Sequence, residues 1–198
     1  MRLKIRIDLA SVDHPKVWRE MWIPMEINFD TLHTILQIGM GWKDEHLYSF
    51  QESLESRYFH IMRPPYEELP GIDSTKVAVK DILWGYFGSF QMAEGMRNNN
   101  TIDRLHYIYD FGDHWEHEIS VTDFDSTPVS HAEIIDGGGA CPPEDCGGVP
   151  GYKRLKDYLN GKMNKKEYYD WFTAVDAEGF DVHRFDMVEH NRILRTLR

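Results

Sequence analysis

Several things are scarce in this sequence, and each scarcity excludes something. Cys141 and Cys146 are the only cysteines in 198 residues. That is too few for the disulfide framework of a small secreted domain and points to a reducing, cytoplasmic address. No run of about 18 apolar residues occurs, so no membrane-crossing helix is expected. The start, Met1 to Asp8, lacks the apolar core of a secretory leader and reads as a strand. Positive charge is scarce too, with 22 Lys and Arg against 33 Asp and Glu, for a net charge of −11. Residues 101–150 concentrate the imbalance, holding eleven acids against a single base, Arg104. A field of that sign repels phosphate and draws cations, which disfavours nucleic acid as a partner. Asp110-Phe111-Gly112 spells the kinase magnesium motif, but no glycine-rich nucleotide loop or catalytic-loop pattern accompanies it.

What is present describes an ordinary α+β domain. The length suits one domain over residues 1–198, and a chain of this size buries enough surface to fold without metal or disulfide. Leu3, Ile5, Ile7 and Leu9 alternate with polar residues, as in a half-buried strand. After His14-Pro15, Val17 to Ile23 reads as the returning strand, stopped by Pro24. Asp30 and Thr31 are cap-type residues ahead of Leu32, Ile35, Leu36 and Met40, a helix ended by Gly39 and Gly41. His46 to Gln51 then reads as a third strand. The result is a mixed sheet opening with a β-hairpin–helix–strand, β-grasp-like unit. Residues 52–103, with Pro64-Pro65, Pro70-Gly71 and Asn98-Asn99-Asn100, read as an insertion. Leu105 to Val121 forms a later, long β-hairpin around Phe111-Gly112-Asp113-His114. Residues 152–198 are a helical C-terminal part: Tyr152 to Leu159, then a helix opened by Asn164-Lys165-Lys166-Glu167 at capping-box spacing, then Phe185 to Leu197.

The chemistry-bearing residues lie between His106 and Cys146. A hairpin turn of two or four residues would set Asp110 opposite Trp115, Ile108 opposite His117 and His106 opposite Ile119. Asp110 and His117 would then be diagonal neighbours, an orienting carboxylate beside a catalytic base or metal-ligating imidazole. A three-residue loop would slip the register and reshuffle both faces. The plain alternative makes Trp115, Ile108 and Ile119 core, with His117 a hydrogen-bonded core histidine. In the following loop, Cys141, Glu144, Asp145 and Cys146 could join His117 around a divalent metal, zinc or manganese, with His114 and His46 in reserve. The competing picture is an ordered loop whose cysteines are small buried hydrophobes. Trp18, Trp42, Trp84 and Trp171 read as core aromatics, His33 as an edge or cap residue of the helix, and the lysines of 153–166 as a solvated helix face.

Four blocks together resemble a known family. They are Pro15-Lys16-Val17-Trp18-Arg19; Leu32-His33 with Met40-Gly41-Trp42-Lys43-Asp44-Glu45-His46-Leu47; Tyr109-Asp110-Phe111-Gly112-Asp113-His114-Trp115-Glu116-His117-Glu118-Ile119; and Cys141 to Tyr152. The chain is similar to the plasmid pRiA4b ORF-3-like family, whose members also carry the label of insertion-element passenger proteins of TnpR type. The resemblance implies an α+β fold and a prokaryotic, mobile-element setting, and no established activity. A resolvase needs a serine among arginines and a basic surface, and here the charge has the opposite sign. Three readings stay open: an accessory module that binds a protein partner, a metal-binding protein or metal-dependent hydrolase using the His106–Cys146 region, and a nucleic-acid-associated accessory protein.

Overall fold

Alternation along the first two strands decides which face of the sheet is core. In β1 (Arg2–Leu9), Leu3, Ile5, Ile7 and Leu9 point inward, and β2 (Trp18–Pro24) returns antiparallel with Arg19, Met21 and Ile23 inward. The outward face is a ladder of charges and indoles. Arg6 lies over Trp18 at 4.1 Å, Arg2 over Trp22 at 4.3 Å, and Lys4 pairs with Glu20 at 3.0 Å. Trp18 is therefore a half-buried residue of the open face, not a core aromatic; the alternation of β2 puts it there.

The computed structural model describes residues 1–53, 60–63, 71–83 and 104–197. Helix α1 (Phe29–Met40) buries Phe29, Leu32, Ile35, Leu36 and Met40. Its N-cap is Asn28, two to three residues before the expected Asp30 and Thr31: the Asn28 side chain accepts the Thr31 N–H at 2.8 Å. Gly41 closes the helix at φ 97°, a conformation that favours glycine.

The remaining elements are β3 (Tyr48–Gln51), β4 (His60–Met62), β5 (Ile72–Asp73), α2 (Val79–Leu83), β6 (Arg104–Tyr109), β7 (Trp115–Asp125), β8 (Glu133–Gly138), α3 (Gly148–Leu159), α4 (Lys165–Tyr169) and α5 (Met187–Leu194). Among the described residues they form an α+β fold around one mixed sheet of order β5-β4-β3-β6-β7-β1-β2-β8. All neighbours are antiparallel except β4 and β5. The hairpin–helix–strand order expected at the start holds, but β3 does not pair with the hairpin; β6 and β7 intervene. From the segment read as an insertion, β4, β5 and α2 are described, while Pro64-Pro65, Trp84 and Asn98 to Asn100 lie outside the described residues.

Asn164 and Glu167 form the expected capping box of α4. The last helix covers edge strand β8: Asn191 donates to the Ile134 carbonyl and accepts its N–H, both at 2.8 Å. Those two bonds replace a missing neighbour strand. No helix among the described residues is long and apolar enough to cross a membrane.

Candidate functional site

The hairpin turn holds five residues, Asp110 to His114, between the paired Tyr109 and Trp115. An odd count shifts the register by one from the two- or four-residue expectation, so Tyr107, not Ile108, faces His117, and Leu105 faces Ile119. The expected pairing of Asp110 with His117 is thereby undone. His117 is 0% exposed, and its Nδ1 donates to the Tyr107 carbonyl at 3.1 Å. No carboxylate lies within 4.0 Å of it among the described residues. Burial lowers its pKa from 6.5 to about 4. In this geometry His117 is a neutral core imidazole.

That burial has a measurable consequence. The unfolded chain takes up the His117 proton near pH 6.5 while the folded chain does not until about pH 4, so stability falls as pH drops through this window. Linkage makes the difference about 3 kcal/mol. Urea unfolding between pH 7 and 4.5 is expected to show that much steeper a loss in wild type than in His117→Leu; equal slopes would mean the imidazole is solvated.

Asp110 leaves the strand at φ 54° and folds its Oδ1 back to accept the N–H groups of Gly112 at 2.9 Å and Asp113 at 3.2 Å. Its other oxygen faces His46, which lies in the loop between α1 and β3. From His46 Nε2, Asp145 Oδ1 lies at 3.2 Å, Asp110 Oδ2 at 3.7 Å and Glu144 Oε2 at 4.0 Å. None of these is a hydrogen bond: Nε2 and Glu144 Oε2 are both buried without a hydrogen-bond partner. Ligand atoms of Glu45, His46 and Asp145 also lie within 4.8 Å of one another. Asp110 and Glu144 form the deep side, each side chain 9% exposed, while Asp145 is 69% exposed on the solvent side.

Three loops meet here, and each is held by contacts of its own. Glu144 Oε1 accepts the Lys43 N–H at 2.9 Å and the Tyr109 hydroxyl at 3.0 Å, which leaves Oε2 to face His46. Burial raises the Tyr109 pKa, with the neighbouring Glu144 carboxylate adding to it, so the hydroxyl keeps its proton as a donor. Asp113 Oδ2 accepts the Gly147 N–H at 3.0 Å, tying the hairpin tip to the acidic loop. Asp145 turns at φ 54°, and Gly151 is required just beyond: a Cβ there would lie 1.6 Å from the Cys146 carbonyl oxygen.

The same loop turns its thiols away. Both cysteines are free; Cys146 is buried, with its thiol pushed up to about 12 by desolvation, and Cys141 is raised well above the ordinary range by burial. Among the described residues neither cysteine falls in a group of three ligating side chains. Of the expected ligands, Glu144 and Asp145 lie near His46, joined by Asp110, which was expected as an orienting carboxylate, while His117, Cys141 and Cys146 fall in no such group among the described residues. His46, held in reserve on sequence, takes the central place. Glu45 and the Tyr109 hydroxyl were missed; the run Asp44-Glu45-His46 inside one of the four motif blocks was the available signal. His33, expected at a helix edge, is fully buried.

The sequence profile described as "Plasmid pRiA4b ORF-3-like protein" matches residues 1–189. The chain belongs to the plasmid pRiA4b ORF-3-like family. It is 28% identical over 181 residues to the uncharacterized protein y4hQ of Sinorhizobium fredii (strain NBRC 101917 / NGR234), covering 90% of this chain and 83% of that one. Its fold is similar to the crystal structure of MM3350, a protein of unknown function from Methanosarcina mazei Go1, with a TM-score of 0.69, 25% identity and 93% of each chain covered. Neither name carries an activity; in this plasmid pRiA4b ORF-3-like chain, one imidazole and several carboxylates gather around His46.

Proposed function

We propose that the protein binds one divalent cation between Glu45, His46 and Asp145, with the Asp110 and Glu144 carboxylates behind His46 adding negative charge. One observation carries the reading: three carboxylate oxygens sit 3.2–4.0 Å from His46 Nε2 without hydrogen bonding to it. The two longer separations exceed hydrogen-bond distances. With metal–ligand bonds of about 2.0–2.2 Å, donors to one ion lie within roughly 4–5 Å of one another, a condition that Glu45, His46 and Asp145 meet among the described residues. An imidazolium would not serve these groups equally well. It offers one N–H at Nε2 to three carboxylates, and the nearest is misaligned.

One imidazole with several carboxylates and no thiolate favours manganese or zinc over a soft metal. The exposed side of the cluster, at Asp145 and Glu45, would leave such an ion open to water, which is what metal-assisted hydrolysis requires. Metal analysis and calorimetry on protein purified without a histidine tag or chelator test the reading. The expected result is one manganese or zinc per chain, lost in His46→Ala and kept in Cys141→Ser and Cys146→Ser. No binding in wild type with either metal added would sink it, and loss in the cysteine variants would move the site to the thiols.

A further inference from the structure

A second set of residues holds the His46 loop without touching the cation cluster. They form a closed ring of hydrogen bonds between α1, β6 and the loop itself. A backbone N–H can only donate, so the Asp44 N–H at 2.9 Å identifies the Gln37 oxygen as Oε1. The Gln37 amide nitrogen therefore donates to the Tyr107 hydroxyl at 2.9 Å. That hydroxyl in turn donates to His33 Nδ1 at 2.8 Å, which leaves the imidazole proton on Nε2. From there it is donated to Asp44 Oδ1 at 2.7 Å, and the ring closes. His33 and Tyr107 are 0% exposed and Gln37 is 3% exposed, and His33 stacks on Tyr48 with ring centroids 3.6 Å apart.

The ring acts on a strained stretch of backbone. Asp44 sits at φ 58° and gives its side chain to His33 while its neighbours Glu45 and His46 face the cluster. The N–H groups of three consecutive residues are each clamped by a different partner: Lys43 by Glu144, Asp44 by Gln37 and Glu45 by Tyr109. Only the middle clamp is independent of the cation cluster, because the other two run through Glu144 or through its partner Tyr109.

We propose that Asp44, His33, Tyr107 and Gln37 are positioning residues that preset the loop carrying Glu45 and His46 for the cation. This rests on the cation reading above and extends it to residues that touch no ligand atom of the cluster. Holding donor atoms in place before the ion arrives removes an ordering cost from binding, and loss of such an outer contact typically weakens metal affinity by about 10–100-fold.

Manganese(II) alone is the probe, with dissociation constants measured by calorimetry for wild type, Asp44→Asn, Asp44→Ala and Tyr107→Phe. Both Asp44 variants remove the same charge, but only asparagine keeps an oxygen for His33 and tolerates the φ of this residue. Tyr107→Phe breaks the ring without altering the charge near the ion or the backbone strain at Asp44. The expected result is Asp44→Asn close to wild type, with Asp44→Ala and Tyr107→Phe weaker by about 10–100-fold. Equal affinities for the two Asp44 variants, or a Tyr107→Phe affinity equal to wild type, would overturn the proposal. If wild type binds no manganese, the cation reading fails, and amide exchange of Lys43 to His46 in the metal-free proteins decides the ring separately. Faster exchange in Asp44→Ala and Tyr107→Phe than in Asp44→Asn supports positioning, and uniform exchange refutes it.

Discussion

Glu144→Gln is expected to weaken cation binding by about 10–100-fold while leaving the metal-free protein as stable as wild type or more so. The amide oxygen of glutamine can keep the bonds that Glu144 Oε1 accepts from the Lys43 N–H and the Tyr109 hydroxyl. Its NH2 group then occupies the place of Oε2, 4.0 Å from His46 Nε2, where it can approach and donate to the imidazole. One negative charge leaves a crowd of like charges, which relieves repulsion. The lost charge stands beside His46 and not among the three grouped ligands, so affinity should drop by about 10–100-fold, as for an outer contact. In wild type, a cation at about 100 times its dissociation constant adds about 2.7 kcal/mol of stability. For a chain of this size that raises the melting temperature by about 5–10 °C. Thermal scans with and without manganese separate the outcomes: a wild-type shift that falls by about half or more in Glu144→Gln fits the site, and an equal shift in both means the ion binds elsewhere.

The largest stability effect should come from Arg19→Met. Arg19 is 1% exposed, and its guanidinium meets carbonyls in place of a carboxylate. Nε donates to Gly39 at 2.7 Å, Nη1 to Trp18 at 2.7 Å and to Gly138 at 2.8 Å, and Nη2 to Gly139 at 3.0 Å. The Phe185 ring lies 3.7 Å from the guanidinium carbon. One side chain thus joins the end of α1, the end of β8 and the segment before α5. Desolvation lowers its pKa to about 10, still far above neutrality, so the charge persists. Methionine has similar length and no donors, and it strands carbonyls whose unmet bonds cost roughly 1–3 kcal/mol each. Removing a desolvated charge offsets part of that. The net expectation is a loss of about 3–5 kcal/mol in the urea midpoint analysis, since some carbonyls can relax toward water. A loss under about 1 kcal/mol would show that the carbonyls are satisfied without the arginine. Arg19→Lys should fall between, because an ammonium cannot span the same fan of acceptors.

Membership of the family was legible from four short blocks, and the profile match over residues 1–189 bears that out. The blocks were legible because they contain rigid, unusual combinations, such as Tyr109 to Ile119 around a tight turn. The α+β class and the first hairpin followed from period-two alternation in residues 3–9, which leaves little choice about which side chains go inward. Asp110, Glu144 and Asp145 of the acidic stretch 101–150 meet at His46.

The site itself was decided by tertiary structure, for two physical reasons. A β-hairpin converts turn length into register, and five residues where two or four were expected moved His117 from beside Asp110 into the core opposite Tyr107. Local propensity around Asp110-Phe111-Gly112-Asp113-His114 does not distinguish those turns strongly enough. The second reason is sequence distance. His46 meets Glu144 and Asp145 across about a hundred positions because the sheet places β3 beside β6 and the acidic loop over their ends. Composition by itself determined that this protein carries an excess of carboxylates near one imidazole-rich segment. Which imidazole they surround, and which thiols they leave buried, depended on strand order and one turn.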